Sequence, residues 1–97
     1  MLPVLCPTPA DPAGRDAFSV ERLWMQRLLR LAERVGQQGE IPVAAAVLDQ
    51  RGRCIGWGTN RRHLANDPLG HAEMAAISQA SRLLGDWRLN HCTLLVT

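Results

Sequence analysis

Hydrophobic residues recur at steps of three and four between Ser19 and Gly36, and charged residues fall mostly between them. Such spacing places apolar side chains on one side of a helix, so it predicts an amphipathic helix over residues 19–36. Residues 71–84 are rich in alanine and leucine, which favour helix, and Gly85 follows as a stop signal. These residues predict a second helix.

Three short segments predict strands. Residues 41–49 are almost wholly apolar, which is typical of a buried strand, and their alanines indicate that another element packs closely over it. A turn signal at 49–52 precedes residues 53–59, which predict an antiparallel partner with a bulge at a glycine. Residues 92–97 predict a third strand. Because a helix precedes it, we expect it to run parallel to another strand through a crossover, which gives a mixed sheet.

The chain divides into an arm and one folded unit. Residues 1–17 contain four prolines, a density that blocks both helix and strand pairing, so we predict a disordered arm there. Residues 18–97 leave room for one small domain. The sequence stops inside its third predicted strand, whose apolar edge would usually be paired or covered. We therefore expect these residues to be the N-terminal part of a longer protein.

Composition excludes several classes of protein. The net charge of +2 permits an RNA partner without arguing for one, and 4% aromatic residues suit a base-stacking binder poorly. No apolar run approaches the roughly 20 residues of a membrane span, and the first residues lack the basic start of a secretory signal. Cys6, Cys54 and Cys92 form no C-x-x-C pair, so we expect reduced thiols and a cytoplasmic protein.

The tripeptide His71-Ala72-Glu73 is the sharpest local signal for chemistry. Imidazole is a common zinc ligand, and a neighbouring carboxylate can move protons to and from a metal-bound water. A capping histidine followed by a glutamate that complements the helix dipole explains the same residues. Residues two apart on a regular helix point to different sides, so the tripeptide alone favours the capping interpretation.

The surrounding sequence resembles the zinc-dependent nucleoside deaminases, and among them the bacterial tRNA-specific adenosine deaminases, over about residues 24–97. The resemblance rests on short segments in a fixed order: Pro42-Val43, Thr59-Asn60-Arg61, the stretch NDPLGHAE at 66–73, Trp87-Arg88-Leu89 and the stretch TLLVT at 93–97. It implies a three-layer α/β/α cytidine-deaminase-like fold, truncated after the third strand.

The resemblance also implies roles for three residues. His71 matches the histidine that ligates a single zinc ion, and Glu73 matches the general acid/base, which is not a ligand. Asn60 matches an asparagine that hydrogen-bonds the target nucleoside. The family's P-C-x-x-C motif does not occur in these residues, so the resemblance places two cysteine ligands beyond Thr97. We interpret Cys54 and Cys92 as small core residues rather than substitutes.

The function that the resemblance implies is zinc-dependent hydrolytic deamination of adenosine to inosine at the wobble position of tRNA. The partner is then the tRNA anticodon arm, and the active form of the complete protein is a homodimer. Two alternatives stay open: a deaminase of free bases or nucleosides of the guanine or cytosine type, and a non-catalytic fragment that does not hold zinc. Because a catalytic zinc needs about three protein ligands, we expect the 97-residue chain alone to be inactive.

Overall fold

The computed structural model describes residues 17–97, so the predicted arm lies outside the described residues except for Ala17. Both predicted helices and all three predicted strands are present, each ending within three residues of the expected position. The elements in chain order are α1 (Ala17–Gln37), β1 (Ala44–Leu48), β2 (Cys54–Thr59), α2 (Ala72–Leu84) and β3 (Thr93–Val96).

The strands form one sheet in the order β2-β1-β3, and β1 pairs antiparallel with both neighbours. β3 therefore runs in the same direction as β2, as the crossover predicts, but the expected mixed sheet is wrong. The reason is that α2 carries the chain across β1 to its far side, so β3 bonds to β1 instead of β2. The central position goes to the most apolar strand, in which all five residues are buried.

β2 contains the predicted bulge. Val47 faces Gly56 and Leu48 faces Cys54, so Ile55 is the additional residue on the β2 side. The irregularity falls beside a glycine, as expected, and it increases the local twist of the strand pair.

The two helices cover opposite faces of the sheet. Successive residues of a strand point to opposite faces, and β1 accordingly divides its side chains between two clusters. Ala45 and Val47 pack with the alanines of α2, whereas Ala44 and Ala46 pack with residues of α1, including Leu28. This arrangement confirms the predicted α/β/α layering. Neither helix in the described part of the chain is long and apolar enough to cross a bilayer.

α2 lies against β2 with unusually small residues between them. Ala72, Ala76 and Ala80, spaced one turn apart, are its buried residues. A Cβ atom on Gly56 would lie 2.1 Å from the carbonyl oxygen of Ala76, and one on Gly58 would lie 2.6 Å from that of Ala72. Helix and strand backbones are therefore in contact, which fixes where α2 begins relative to the end of β2.

Candidate active site

One edge of the sheet holds the beginning of β1 and the ends of β2 and β3. Ala44, the first residue of β1, faces Thr59, the last residue of β2. On the other side, the Thr97 N–H donates to the carbonyl oxygen of Ala44 at 3.0 Å. The Ala44 N–H in turn donates to Thr97 Oγ1 at 3.0 Å. α2 also starts at this edge, and all the predicted site residues lie on the segments that meet there.

Residues 60–71 connect β2 to α2, and within them the ten residues 61–70 form a loop that closes on itself at its base. The N–H of Arg61 donates to the carbonyl oxygen of Gly70 at 2.7 Å. A Cβ on Gly70 would lie 2.8 Å from the Arg61 carbonyl carbon, so only glycine permits this approach. The residues directly outside this closure are Asn60 and His71. The structure thus brings two of the three predicted site residues together.

Asn60 is a buried polar residue with 4% of its surface exposed. Its backbone N–H donates to the carbonyl oxygen of Val43 at 3.0 Å. Its side-chain amide makes no hydrogen bond to any other residue within 17–97. Buried amides in proteins are nearly always hydrogen-bonded. A buried amide without a partner therefore offers both a donor and an acceptor to a ligand.

His71 occupies the N-cap position of α2 with an extended backbone, at φ −92° and ψ 140°. Its carbonyl oxygen accepts the N–H groups of Met74 and Ala75, but no hydrogen bond from its side chain caps the helix. His71 thus holds the N-cap position that the capping interpretation gives it, and Glu73 lies in the first turn, but the side-chain hydrogen bond of a cap is not made. The residue is half-buried, and its imidazole makes no hydrogen bond to another residue within 17–97.

Glu73 lies in the first turn of α2 and is half-buried. The N-terminus of a helix carries partial positive charge, which stabilises a carboxylate there. Side chains two residues apart on a helix point in different directions, but His71 and Glu73 are not both on the helix. Because His71 has extended backbone and lies outside the helix, its side chain is not bound by helical spacing relative to Glu73.

The residues present do not complete a zinc site. Within residues 17–97 no group of three or more His, Cys, Asp or Glu side chains is placed to hold a metal ion. Cys54 donates from Sγ to the carbonyl oxygen of Gly56 at 3.3 Å. Cys92 precedes β3 at the opposite edge of the sheet, and burial together with Asp49 raises the pKa of its thiol. Neither cysteine joins His71, so His71 is the sole predicted metal ligand that these described residues supply.

Glu40 is a residue of this edge that the sequence analysis missed. It is 4% exposed, and its Oε2 atom accepts the backbone N–H groups of His63 and Leu64, each at 3.0 Å. Burial alone would raise the pKa of this carboxyl above its ordinary 4.5, but hydrogen bonds from Leu64, Ile41 and His63 lower the pKa below that value. No local pattern distinguishes this glutamate, because its partners lie 23 and 24 residues along the chain.

The family whose description is "cytidine and deoxycytidylate deaminase zinc-binding region" matches residues 19–97. This match covers most of the chain and includes every element of the sheet, the loop 61–70 and α2. The chain belongs to this deaminase family.

Among its relatives is the tRNA-specific adenosine deaminase of Streptococcus pyogenes serotype M18, 42% identical over 74 residues. That match covers 76% of this chain and 46% of the relative, so the chain spans about half the length of such relatives. A solved tRNA:A34 deaminase superposes with a TM-score of 0.69 at 37% identity, covering 79% of this chain and 59% of that one. Guanine deaminase from Bacillus subtilis superposes with a TM-score of 0.70 at 32% identity, covering 77% and 48%.

Proposed function

We propose that the protein to which these residues belong deaminates adenosine to inosine at the wobble position of tRNA, consuming water and releasing ammonia. The observation that carries the proposal is the placement of Asn60 and His71 on the two sides of the closed base of loop 61–70. The Asn60 amide, buried and without a hydrogen-bond partner among residues 17–97, lies beside a histidine whose side chain makes no cap bond, and this arrangement suits a polar base. The 42% identity to a tRNA-specific adenosine deaminase supports the choice of substrate.

In this proposal each of the three residues has a separate task. Asn60 holds the target nucleoside through the amide that lacks a partner in the described chain. Glu73 takes one proton from the attacking water and delivers it to the ring nitrogen, and it then passes the second water proton to the amino group, which leaves as ammonia. His71 is the proposed zinc ligand; zinc, when bound, lowers the pKa of a coordinated water towards neutrality.

We propose that the two remaining ligands are cysteine thiolates that follow Thr97 in the longer protein, residues 18–97 being its N-terminal part. The position of Thr97 supports this, because its hydrogen bonds to Ala44 place it at the site edge of the sheet. A segment that continues from Thr97 would start at this edge. Reading the gene past codon 97 tests the proposal: a Pro-Cys-x-x-Cys motif within a few codons is expected, and its absence from the whole gene product would refute it.

The activity is tested on the complete gene product with an anticodon stem-loop and with free nucleosides. We expect inosine formation in the stem-loop and none from free adenosine. Glu73→Ala should abolish turnover while the bound zinc remains, whereas His71→Ala should lose the zinc. Turnover of free nucleosides alone would contradict the assignment to tRNA.

The second candidate is a deaminase of free guanine, which the TM-score of 0.70 to the Bacillus subtilis guanine deaminase favours. Solved structures of both kinds superpose on this chain with nearly equal TM-scores, 0.69 and 0.70, so a test of substrate is needed to distinguish the two candidates. Ammonia release from guanine by the complete protein, with an inert stem-loop, would establish the second candidate.

We also propose that the complete protein is a homodimer that acts in the cytoplasm, where its tRNA substrate is found. Light scattering of the purified protein should give twice the subunit mass.

For the 97-residue polypeptide alone, we propose that it neither retains zinc nor deaminates, because one histidine cannot form the site. Stoichiometric zinc in this polypeptide, lost in His71→Ala, would contradict that statement.

A further inference from the structure

We infer that Glu40 is a positioning residue that fixes loop 61–70, and through this loop governs how tightly the RNA substrate binds; the inference rests on the proposed function. Glu40 itself touches no reacting atom in this assignment. It acts through the backbone of the loop that begins after Asn60 and ends before His71.

Glu40 is held firmly by the body of the domain. Its N–H donates to the carbonyl oxygen of Val35 near the end of α1 at 3.1 Å. Three residues later, the carbonyl oxygen of Val43 accepts the N–H of Asn60 at 3.0 Å. The backbone around Glu40 is therefore tied both to α1 and to the residue that precedes the loop, so the backbone that carries its carboxylate has a fixed position.

The first half of the loop, residues 62–66, is a single hydrogen-bonded turn and not a helix. The N–H of Ala65 donates to the carbonyl oxygen of Arg61 at 3.0 Å, and the N–H of Asn66 donates to that of His63 at 3.3 Å. The first N–H groups of such a turn have no carbonyl partner within it. Here those of His63 and Leu64 are accepted by the Glu40 carboxylate, at 3.0 Å each to Oε2.

The charge of Glu40 suits this task. A carboxylate at the start of such a turn interacts favourably with its N–H dipoles, and its hydrogen bonds are stronger than those of a neutral acceptor. The side chain is almost fully buried, so water cannot replace it easily. Without this carboxylate, two N–H groups on the inner side of the loop would lose their acceptor.

The loop carries two exposed basic residues, Arg61 and Arg62, immediately after the buried Asn60. Arginine side chains beside a base-binding residue are placed to contact phosphates that flank the target nucleotide. A displaced turn would move these side chains relative to Asn60. Loss of the Glu40 contact should therefore weaken RNA binding more than it slows the chemical step.

The test compares Glu40→Gln with Glu33→Gln in the complete protein. Glu33 is exposed on α1, so its variant removes the same charge far from any loop contact. Glu40→Gln should raise KM for an anticodon stem-loop about tenfold and change kcat less than about twofold. This pattern is expected when the bound substrate and the transition state lose the same amount of binding energy. Glu33→Gln should leave both unchanged. A fall in kcat with an unchanged KM would overturn the inference.

Amide hydrogen exchange tests the contact without reference to activity. The amides of His63 and Leu64 should exchange about tenfold faster in Glu40→Gln, as expected for a weakened charged hydrogen bond. Exchange that is unchanged at both amides would overturn the inference. If the wild-type protein does not deaminate RNA, the proposed function fails while this measurement still decides the role of Glu40.

Glu40→Asp provides the second variant if Glu40→Gln does not fold. Aspartate keeps the charge and shortens the side chain by one methylene group, so it should give a smaller rise in KM and faster exchange at the same two amides. Wild-type values for both measurements in a folded Glu40→Asp protein would overturn the inference.

Discussion

At the residue scale, two buried polar side chains, Asn60 and Glu40, differ in whether they form hydrogen bonds within the described residues. Asn60 and Glu40 are equally buried, at 4% exposure each. The carboxylate of Glu40 accepts several backbone N–H groups, whereas the amide of Asn60 has no partner in the part of the chain described. A satisfied buried group stabilises the local structure, whereas an unsatisfied one is available to water or to a ligand.

Asn60→Ala should separate binding from stability. Because the amide forms no hydrogen bond within the described residues, its removal should leave the melting temperature of the complete protein unchanged or slightly higher. The loss of hydrogen bonds to the substrate should lower kcat/KM by about 10–100-fold, equivalent to about 1.5–3 kcal/mol. Asn90→Ala, a change at an exposed asparagine, is the control for both measurements. A melting temperature reduced by several degrees would show that the amide is structural.

Only the residues of the candidate site that belong to short sequence motifs could be predicted from the sequence. His71 and Glu73 are two residues apart, and Asn60 directly follows a predicted strand, so a short motif and a resemblance were enough to propose all three. The contact of Glu40 with the loop was not predicted, because its hydrogen bonds join residues 23 and 24 positions apart in the chain. Nothing in the residues next to a single glutamate indicates which distant N–H groups it will meet.

At the scale of elements, the predicted helices and strands were found because their periodicity is local. The antiparallel pairing of β1 with β2 was predicted as well. The pairing of β3 was not, because it depends on which strand can be buried on both faces. β1 carries five consecutive buried residues, which makes it the central strand, and β3 must then pair with it antiparallel. The assumption that a crossover leads to an adjacent parallel strand overlooked this requirement.

The contact between α2 and β2 gives an element-scale prediction. Gly56→Ala places a methyl group 2.1 Å from the Ala76 carbonyl oxygen, a distance that forces helix and strand apart. We expect a loss of unfolding free energy of about 1–3 kcal/mol, the usual cost of overpacking a core. Ser78→Ala, on the exposed side of α2, should change little. Urea denaturation of the complete protein measures both, and equal stability of Gly56→Ala and wild type would refute the close contact.

Gly58→Ala tests whether the same contact also sets the site. Its methyl group would lie 2.6 Å from the carbonyl oxygen of Ala72, the first residue of α2 and the neighbour of His71. We therefore expect this variant to lose kcat more steeply than Gly56→Ala at comparable stability, because it displaces the start of the helix that carries Glu73. Measurements of kcat and of urea midpoints for the two variants show whether this contact also positions the site. Equal activity losses would show that the contact contributes to stability alone.

The whole molecule combines two carboxylates that hold loops at opposite edges of the same sheet. Glu40 holds loop 61–70 at the site edge, and Asp49 closes the turn between β1 and β2 at the other. The Asp49 Oδ1 atom accepts the N–H groups of Arg51 and Arg53, each at 2.9 Å. Burial would raise the pKa of Asp49, but the hydrogen bonds from Arg53 and Arg51 lower it below the ordinary 3.8.

Both lowered pKa values make the stability of the molecule depend on pH in one direction. The unfolded chain protonates these carboxyls at their ordinary values of 4.5 and 3.8, whereas the folded chain keeps them charged to lower pH. The unfolded state therefore binds more protons in this range, and the free energy of unfolding falls as the pH drops through it. Above the ordinary values the contribution is fully present. Urea midpoints of the complete protein between about pH 7 and pH 3 should show this decline.

The double variant Glu40→Gln with Asp49→Asn assigns the decline to these two groups. It should be less stable than wild type near neutral pH, and its stability should fall less as the pH is lowered, because neither side chain can then take up a proton. The control is Glu33→Gln, which removes an exposed carboxylate on α1 and should therefore follow the wild-type curve. Parallel curves for the double variant and wild type would show that the acid sensitivity arises elsewhere in the molecule.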